Sequence, residues 1–313
     1  MKTSLAVGAL VVLAVALAAV VGTRNAGSAA DDAAAAEPWT LARAMSQRRS
    51  YVAAAELDGS IYAAGGMVGE SGRFLDVFQR FDPEPNSWTT LPRLPERVRA
   101  GAAAALGGAV YVVGGQTPDG LSGRTYAYDV ERGAWEERAP LPEPRFNHAL
   151  VVLGGKIYAL GGFAGTTERA DVFAYDPAAD RWTQRTSLPR RNHAFGAVAF
   201  RGELWVIGGR RGDEILREVW IYDPESDRWR PGPELPEPME LNGAAVAGAE
   251  IHTVWESTYQ IYDARTGAWR QGPRSLVTRH GLKAFAVAGW LYTIGGCTTD
   301  LVDSQVVERR RIS

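Results

Sequence analysis

Short runs of alternating apolar and polar residues, bounded by glycine or by Asp-Pro turns, recur along the chain from about residue 39. Residues 144–182 contain an extended apolar run from His148, a Gly154-Gly155 turn, a second apolar run that ends at Gly161-Gly162, a polar loop, an alternating run over 172–175 and a short run that opens on Trp182. Period-two alternation with tight glycine turns is typical of antiparallel strands. This stretch therefore predicts one four-stranded sheet.

The double glycines and a following tryptophan recur in the same order along the rest of the chain. The double glycines are Gly65-Gly66, Gly114-Gly115, Gly161-Gly162, Gly208-Gly209 and Gly295-Gly296, and the tryptophans are Trp88, Trp135, Trp182, Trp229 and Trp269. Six residues before each double glycine stands another glycine, where a tight hairpin needs positive φ. A fixed period of this kind predicts repeated sheets that pack against their neighbours.

Gly-Gly after an apolar strand, followed by Asp-Pro and then Trp, resembles the kelch repeat. The resemblance extends from about Trp39 to Arg309. It implies an all-β fold, the kelch-type β-propeller, in which each repeat forms one blade. Propellers of this kind include binding proteins, scaffolds and enzymes, so the resemblance indicates the fold and not the function.

The two ends of the chain are predicted to share one blade. Trp39 precedes Met45 by six residues, the spacing with which Trp88, Trp135, Trp182 and Trp229 precede the leucine that leaves their strand. The C-terminal repeat has three strands and no tryptophan strand. We therefore expect residues 39–313 to form six blades, the last closed by the N-terminal strand, which would hide the sheet edges of an open ring.

The fifth repeat departs from the pattern. Trp255-Glu256 stands where a double glycine is expected, and Glu256 precedes Asp263 by seven residues, whereas Gly209 precedes Asp223 by fourteen. This repeat has therefore lost most of the loop between its second and third strands. Two interpretations remain open. Either the loop was lost by drift in a repeat that tolerates change, or its absence opens a notch in one face of the propeller that admits a ligand.

The N-terminal segment is typical of an export signal. A lysine at position 2 precedes the apolar run 5–21, and small residues follow at 27–30. We interpret residues 1–30 as a cleavable signal peptide, with an uncleaved membrane anchor as the alternative, and 31–38 as a disordered tether. The protein is then expected to be periplasmic or extracellular.

Composition excludes several classes of function. The formal net charge of -2, with both signs interspersed, predicts no nucleic-acid partner. Cys297 is the only cysteine, so no internal disulfide can form. The four histidines lack close metal-ligand spacing, so we predict no metal and no cofactor. Copper oxidases related to galactose oxidase share the propeller, but Cys297 has no evident tyrosine partner for their cross-link. We expect a monomer.

Basic residues recur just before the first strands and are the candidate binding residues. The candidates are Arg49, Arg99, Arg145, Arg191 and Arg279, with Asn242 and Trp255 from the fifth blade. Two interpretations remain open: the arginines bind carbonyls of the neighbouring blade, or they face the central opening and bind an anionic ligand.

Two functions agree with these residues. The first is a binding module of the cell envelope that holds a protein, a peptide or an acidic glycan at the propeller face. The alternative is a sugar-acid mutarotase that resembles the exported bacterial kelch enzymes acting on N-acetylneuraminate, with Glu240 or Glu256 as acid–base candidates. A membrane contact is expected only if the leader stays attached.

Overall fold

The structure, a computed structural model, describes residues 37–69, 72–298 and 302–312. These residues form six four-stranded antiparallel sheets and no α-helix. The predicted signal peptide and most of the predicted tether lie outside the described residues. Within the described part of the chain, no helix is long and apolar enough to cross a membrane.

Each sheet is one blade of a propeller, and its strands run in order from the central channel outward, except that the outermost strand of blade 6 comes from the N-terminus. The bounds are Ala53–Leu57, Ser60–Ala64, Phe78–Asp82 and Ser87–Thr90 in blade 1; Ala102–Leu106, Ala109–Thr117, Gly120–Asp129 and Ala134–Arg138 in blade 2; Ala149–Leu153, Lys156–Leu160, Val172–Asp176 and Arg181–Arg185 in blade 3; Gly196–Phe200, Glu203–Ile207, Val219–Asp223 and Arg228–Pro231 in blade 4; Gly243–Ala247, Glu250–Trp255, Thr258–Asp263 and Ala268–Gln271 in blade 5; Lys283–Val287, Trp290–Ile294, Val307–Arg311 and Thr40–Leu41 in blade 6.

The hydrophobic core lies between blades. Six clusters of buried side chains each combine residues from two adjacent blades, including one cluster between blade 6 and blade 1. The aromatic residues at one position of the second strands belong to these clusters and are at most 6% exposed: Tyr62, Tyr111, Tyr158, Trp205 and Tyr292. Blade-to-blade packing therefore holds the ring together in place of disulfides.

The predicted closure by the N-terminus is confirmed. Thr40 pairs with Arg309 and Leu41 with Glu308 in an antiparallel ladder. Trp39 is 3% exposed, and its Nε1 donates a hydrogen bond to the carbonyl of Pro273 in the preceding blade at 2.9 Å. The other five repeat tryptophans, Trp88, Trp135, Trp182, Trp229 and Trp269, donate the same bond to the blade before theirs. Six equivalent clamps thus close the ring.

The double glycines form the seam between blades. Gly161 and Gly162 have φ of 54° and 92°, and the Gly162 N–H donates to the Asn192 carbonyl of the next blade at 3.0 Å. A Cβ on Gly161 would lie 2.6 Å from that same oxygen. Only glycine fits here, because the backbone is left-handed and the next blade is in contact.

Blade 5 lacks this seam, as its sequence predicts. Its second and third strands are joined directly at Glu256-Ser257, and Glu256 has a φ of 52°. Blades 1, 3 and 4 instead extend into two-stranded ribbons, Met67–Val68 with Arg73–Phe74, Phe163–Ala164 with Thr167–Glu168 and Arg210–Arg211 with Glu214–Ile215. The shortened blade is therefore a real feature of one face.

Candidate functional site

One face of the propeller is organised by a chain of backbone hydrogen bonds around the channel mouth. In each bond a backbone N–H donates to a backbone carbonyl oxygen. The donor and acceptor residues are Ala100 and Tyr51, Asn147 and Ala100, Ala194 and Asn147, Leu241 and Ala194, and Gly281 and Leu241. All six residues have positive φ and stand just before the first strands. The mouth is therefore built from backbone, and the residues that flank it are held in fixed positions.

Three of the candidate arginines are buried within their own blades. Arg49, Arg145 and Arg279 are each 0% exposed. Each donates from Nη1 to the carbonyl of its own blade's first seam glycine, at 2.9 Å in Arg49, 3.0 Å in Arg145 and 2.6 Å in Arg279. These three are therefore not ligand contacts, and the carbonyls they bind belong to the same blade rather than to the neighbouring one.

Blade 4 confirms the structural role of this position. Asn192 stands there, and its Nδ2 donates to the Gly208 carbonyl at 2.9 Å, the bond that arginine makes elsewhere. Arg191, the candidate at the preceding position, is exposed. It remains available to a ligand but lies outside this buried network.

Asn242 and Trp255 flank the same end of a strand pair in blade 5, but their side chains have different surroundings. Asn242 is 4% exposed, lines the central channel and donates from Nδ2 to Thr253 Oγ1 at 2.7 Å. Trp255 is partly buried and packs against the core cluster between blades 4 and 5. Among the described residues, Trp255 makes no cation–π contact with a candidate arginine. A ligand site beside the shortened loop of blade 5 therefore stays a prediction.

Arg99 is the candidate arginine that lines a cavity. A cavity of about 740 Å³, here called the rim pocket, lies where blades 6, 1 and 2 meet and is lined by Arg48, Arg99, Tyr51, Met67, Val68 and Asp303 among others. The Arg99 guanidinium lies 4.9 Å from the Phe74 ring centroid, and its Nε donates to Gln116 Oε1 at 2.9 Å. No carboxylate of the described residues pairs with it. A guanidinium that is fixed at a pocket and has no carboxylate partner among the described residues is suited to binding a carboxylate.

The central channel holds further polar residues beside the candidate Asn242. It has a volume of about 360 Å³ and is lined by alanines and other apolar residues of the six first strands, with Glu56, His148, Asn242 and Lys283 as its polar side chains. His148 is 5% exposed, and burial beside Arg145 and Lys283 lowers its pKa to about 3. The signal for Lys283 was a charged residue at the start of an otherwise apolar first strand.

The comparisons with known proteins agree with this architecture. Residues 51–254 match the family described as the KLHDC2/KLHL20/DRC7 Kelch-repeats domain. The chain belongs to the kelch-repeat family. Among solved structures it is similar to the one titled "Structure of YjhT", with a TM-score of 0.75 and 14% identity over 86% of this chain and 96% of that one. At this identity the likeness concerns the kelch propeller fold alone.

The two candidate carboxylates of this kelch propeller differ in their contacts, since Glu240 forms a salt bridge and Glu256 is held through its backbone. Glu240 accepts hydrogen bonds from Arg210 Nη1 at 3.0 and 3.2 Å, which forms a salt bridge at the face. Glu256 occupies the tight turn of blade 5, where its carbonyl accepts from Ser275 Oγ at 3.1 Å. No contact of either carboxylate with a second acid–base group is present among the described residues.

Cys297 and His280 lie side by side but do not form an activated pair. Cys297 Sγ is 2.9 Å from His280 Nε2 at the edge of the rim pocket. Burial, with Asp303 nearby, raises the pKa of Cys297 to about 11, so the thiol stays protonated at neutral pH. In the described part of the chain, no group of three or more His, Cys, Asp or Glu residues could hold a metal ion.

We expect His148 to make the stability of the propeller depend on pH. Its pKa is depressed from 6.5 to about 3 in the fold, so the unfolded chain takes up a proton between these values while the native state does not. Stability is therefore present above pH 6.5 and is lost as the pH falls, by about 2 kcal/mol at pH 5. Chemical denaturation of the parent and of His148→Met at pH 7.5 and pH 5 measures this. The stability difference between the two proteins should shift by about that amount in favour of the variant, and an unchanged difference would contradict the assignment.

Proposed function

We propose that this kelch propeller is a binding module that holds a protein, peptide or glycan ligand by a carboxylate at the rim pocket. The observation that carries the proposal is Arg99, which lines a pocket of about 740 Å³ and has no carboxylate partner among the described residues. Its contacts with Gln116 and Phe74 fix the guanidinium before a ligand arrives. A preorganised donor loses little side-chain entropy on binding.

The rest of the rim pocket favours a peptide over a bare sugar. Met67, Val68 and Val302 give it an apolar lining, while Arg48 adds an exposed cation to the partly buried Arg99. Asp303 is already engaged, since its carboxylate accepts from Ser50 Oγ at 2.6 Å and from the Gly69 N–H at 2.7 Å. An apolar pocket with guanidinium at its edge suits a peptide terminus or an acidic residue next to an apolar one, because the side chain and the carboxylate are both accommodated.

The mutarotase alternative has less support. Its acid–base candidates would be Glu240, which Arg210 already binds, and Glu256, which is partly buried in a turn. Proton transfer needs a group that can reach the substrate oxygen directly or through one water. Neither carboxylate lines the rim pocket. The binding module is therefore the function that the geometry favours.

Substituting Arg99 should weaken ligand binding without unfolding the propeller. A displayed library of random octapeptides is selected on the parent protein, and the dissociation constants of the selected peptides are measured by calorimetry. For Arg99→Gln we expect roughly 10- to 30-fold weaker binding, the effect typical of an arginine hot spot. Arg191→Gln is the matched control, because it removes an exposed arginine just before a first strand and leaves the rim pocket intact.

The two variants separate this proposal from general charge attraction. Equal losses in Arg99→Gln and Arg191→Gln would indicate nonspecific electrostatics, and no loss in Arg99→Gln would exclude the rim pocket. Amidating the peptide C-terminus or its acidic side chains one at a time identifies the carboxylate. An assay of N-acetylneuraminate anomerisation by NMR is expected to show no rate above buffer, and a catalysed rate would favour the enzyme instead.

We further propose that the protein is exported and works outside the cytoplasm. The support is the sequence of residues 1–30, with its lysine, apolar run and small residues. N-terminal sequencing of the protein from its native host should find a start near Ala30 or Asp31. Recovery of the Met1 form in the membrane fraction would show an anchor, and recovery in the cytoplasm would refute export.

A further inference from the structure

Methionine is scarce in this chain, and one of its four methionines lies at the rim pocket. Met1 belongs to the predicted leader and lies outside the described residues. Met45 and Met239 are core residues, 2% and 0% exposed. Met67 is partly exposed and lines the rim pocket. Among the methionines that the structure describes, Met67 is therefore the one that a dissolved oxidant can reach.

Met67 contacts the arginine on which the proposed function rests. Arg99 Nη1 donates a hydrogen bond to Met67 Sδ at 2.8 Å. Met67 pairs with Phe74 in the ribbon of blade 1, and the Arg99 guanidinium also lies 4.9 Å from the Phe74 ring centroid. Two backbone hydrogen bonds with Ser50, at 3.0 and 3.1 Å, fix the main chain of Met67. The sulfur is therefore held beside the guanidinium, although a thioether is only a weak acceptor.

Oxidation of Met67 makes this contact stronger. Hydrogen peroxide transfers one oxygen atom to the thioether: the O–O bond breaks, a sulfur–oxygen bond forms, and the sulfur loses two electrons to the peroxide, whose second oxygen leaves with both protons as water. A hydrogen bond from a guanidinium to an oxygen is charge-assisted and therefore strong. Since the methionine side chain has three rotatable bonds, the new oxygen can turn towards Arg99 without a change in the backbone.

Cys297, the other sulfur of the rim pocket, is a poorer target for an oxidant. It is 3% exposed, and burial with Asp303 nearby raises the pKa of its thiol to about 11. Peroxides react with the thiolate, so a thiol that stays protonated at neutral pH reacts slowly. The thioether of Met67 needs no deprotonation. Met67 is therefore the sulfur of the rim pocket that reacts first.

We propose that Met67 is a reversible oxidation site that regulates the rim pocket, with hydrogen peroxide or a related hydroperoxide as the oxidant. The sulfoxide oxygen accepts a hydrogen bond from the Arg99 guanidinium and so competes with the ligand carboxylate. It also makes polar the apolar lining that Met67 and Val68 give the pocket. Both changes weaken binding, and a methionine sulfoxide reductase reverses them. This inference rests on the proposed function, because Arg99 must be the residue that binds the carboxylate.

Mass spectrometry and crystallography test the site without any ligand. After mild treatment with hydrogen peroxide, tryptic peptides should contain sulfoxide at Met67, while Met45 and Met239 stay unmodified. A crystal structure of the treated protein should place the sulfoxide oxygen within about 3.2 Å of an Arg99 guanidinium nitrogen. Oxidation of Met45 or Met239 before Met67, or a sulfoxide oxygen that points away from Arg99, would overturn the proposal.

The affinity for the tightest peptide from the library selection measures the regulation. Peroxide treatment of the parent should weaken binding about 3- to 10-fold, the loss expected for one hydrogen bond, and a methionine sulfoxide reductase should restore it. Met67→Leu should keep its own affinity through the same treatment, because leucine is similar in volume and has no sulfur. Met239→Leu is the matched control and should respond to peroxide as the parent does, since it removes a core methionine.

Failure of the regulation can be distinguished from failure of the proposed function. Unchanged peptide affinity after complete oxidation of Met67 would exclude the regulation and leave the binding module intact. Equal losses in the parent and in Met67→Leu would assign the effect to oxidation at another residue and overturn the proposal. A peptide that binds Arg99→Gln as tightly as the parent would exclude the rim pocket, and the role of Met67 with it.

Discussion

Replacing Trp39 by alanine should lower the free energy of unfolding of the whole propeller by about 3–5 kcal/mol, the range for a large buried aromatic side chain. Trp39 is 3% exposed, contacts Tyr259 edge-on at 5.5 Å between ring centroids and donates its indole N–H to Pro273. It is the clamp that joins the N-terminal strand to blade 5. Urea denaturation monitored by circular dichroism measures the change.

A neighbouring residue on the same strand provides the control. Leu41 pairs with Glu308 in the ladder, but its side chain is 61% exposed. Leu41→Ala should therefore change stability by less than about 0.5 kcal/mol, as surface substitutions usually do. If both variants are as stable as the parent, closure through the N-terminal strand does not contribute to the stability of the ring.

Arg279→Met should destabilise the fold by about 3–5 kcal/mol, the range for removing one partner of a buried ion pair. Arg279 Nη2 and Glu308 Oε2 are 2.6 Å apart, and both side chains are 0% exposed. Glu308 would keep its bonds from the Leu276 and Val277 N–H groups but would lose its counter-charge. Denaturation at neutral pH, compared with the parent, gives the change.

Two further variants interpret that result. The double variant Arg279→Met with Glu308→Gln should recover part of the loss, because no buried charge remains. Arg190→Met removes an exposed guanidinium that lies 3.6 Å from Glu218, and it should cost less than about 1 kcal/mol. A fully stable Arg279→Met protein with weakened ligand binding would instead support the ligand-facing interpretation of this arginine.

The fold could be predicted because each repeat needs particular residue types at several fixed positions. Each seam glycine must have positive φ and be free of a Cβ, so glycine recurs where the next blade is in contact. Each tryptophan must reach a carbonyl of the preceding blade, so its spacing is fixed as well. The lone strand at Thr40–Leu41 was identified by the same spacing, although its partner strand is at the other end of the chain.

The site was harder to predict because buried and accessible arginines occupy nearly the same position in the repeat. Arg49, Arg145 and Arg279 each precede their seam glycine by sixteen residues and are buried. Arg99 precedes Gly114 by fifteen residues and Arg191 precedes Gly208 by seventeen, and neither is buried. A shift of one position moves the side chain out of the blade. This spacing is visible in the sequence, but its meaning depends on knowing which position reaches the carbonyls.

The channel-lining residues could not be predicted, because residues far apart in the sequence meet in the channel. Lys283 and His148 belong to different blades, and nothing in the spacing of the repeats indicates that both line the same end of the channel. The shortened loop of blade 5 was predicted correctly, yet the large cavity of the face lies over blades 6, 1 and 2. Loop loss alone therefore did not predict the pocket, because side chains and ribbons of the other blades shape it.

The most direct test of the proposed function is a crystal structure of the protein with the tightest peptide from the library selection. We predict density in the rim pocket, with a peptide carboxylate within about 3 Å of the Arg99 guanidinium and an apolar side chain against Met67 and Val68. Density for the peptide elsewhere on the propeller, with the rim pocket unchanged, would contradict the account.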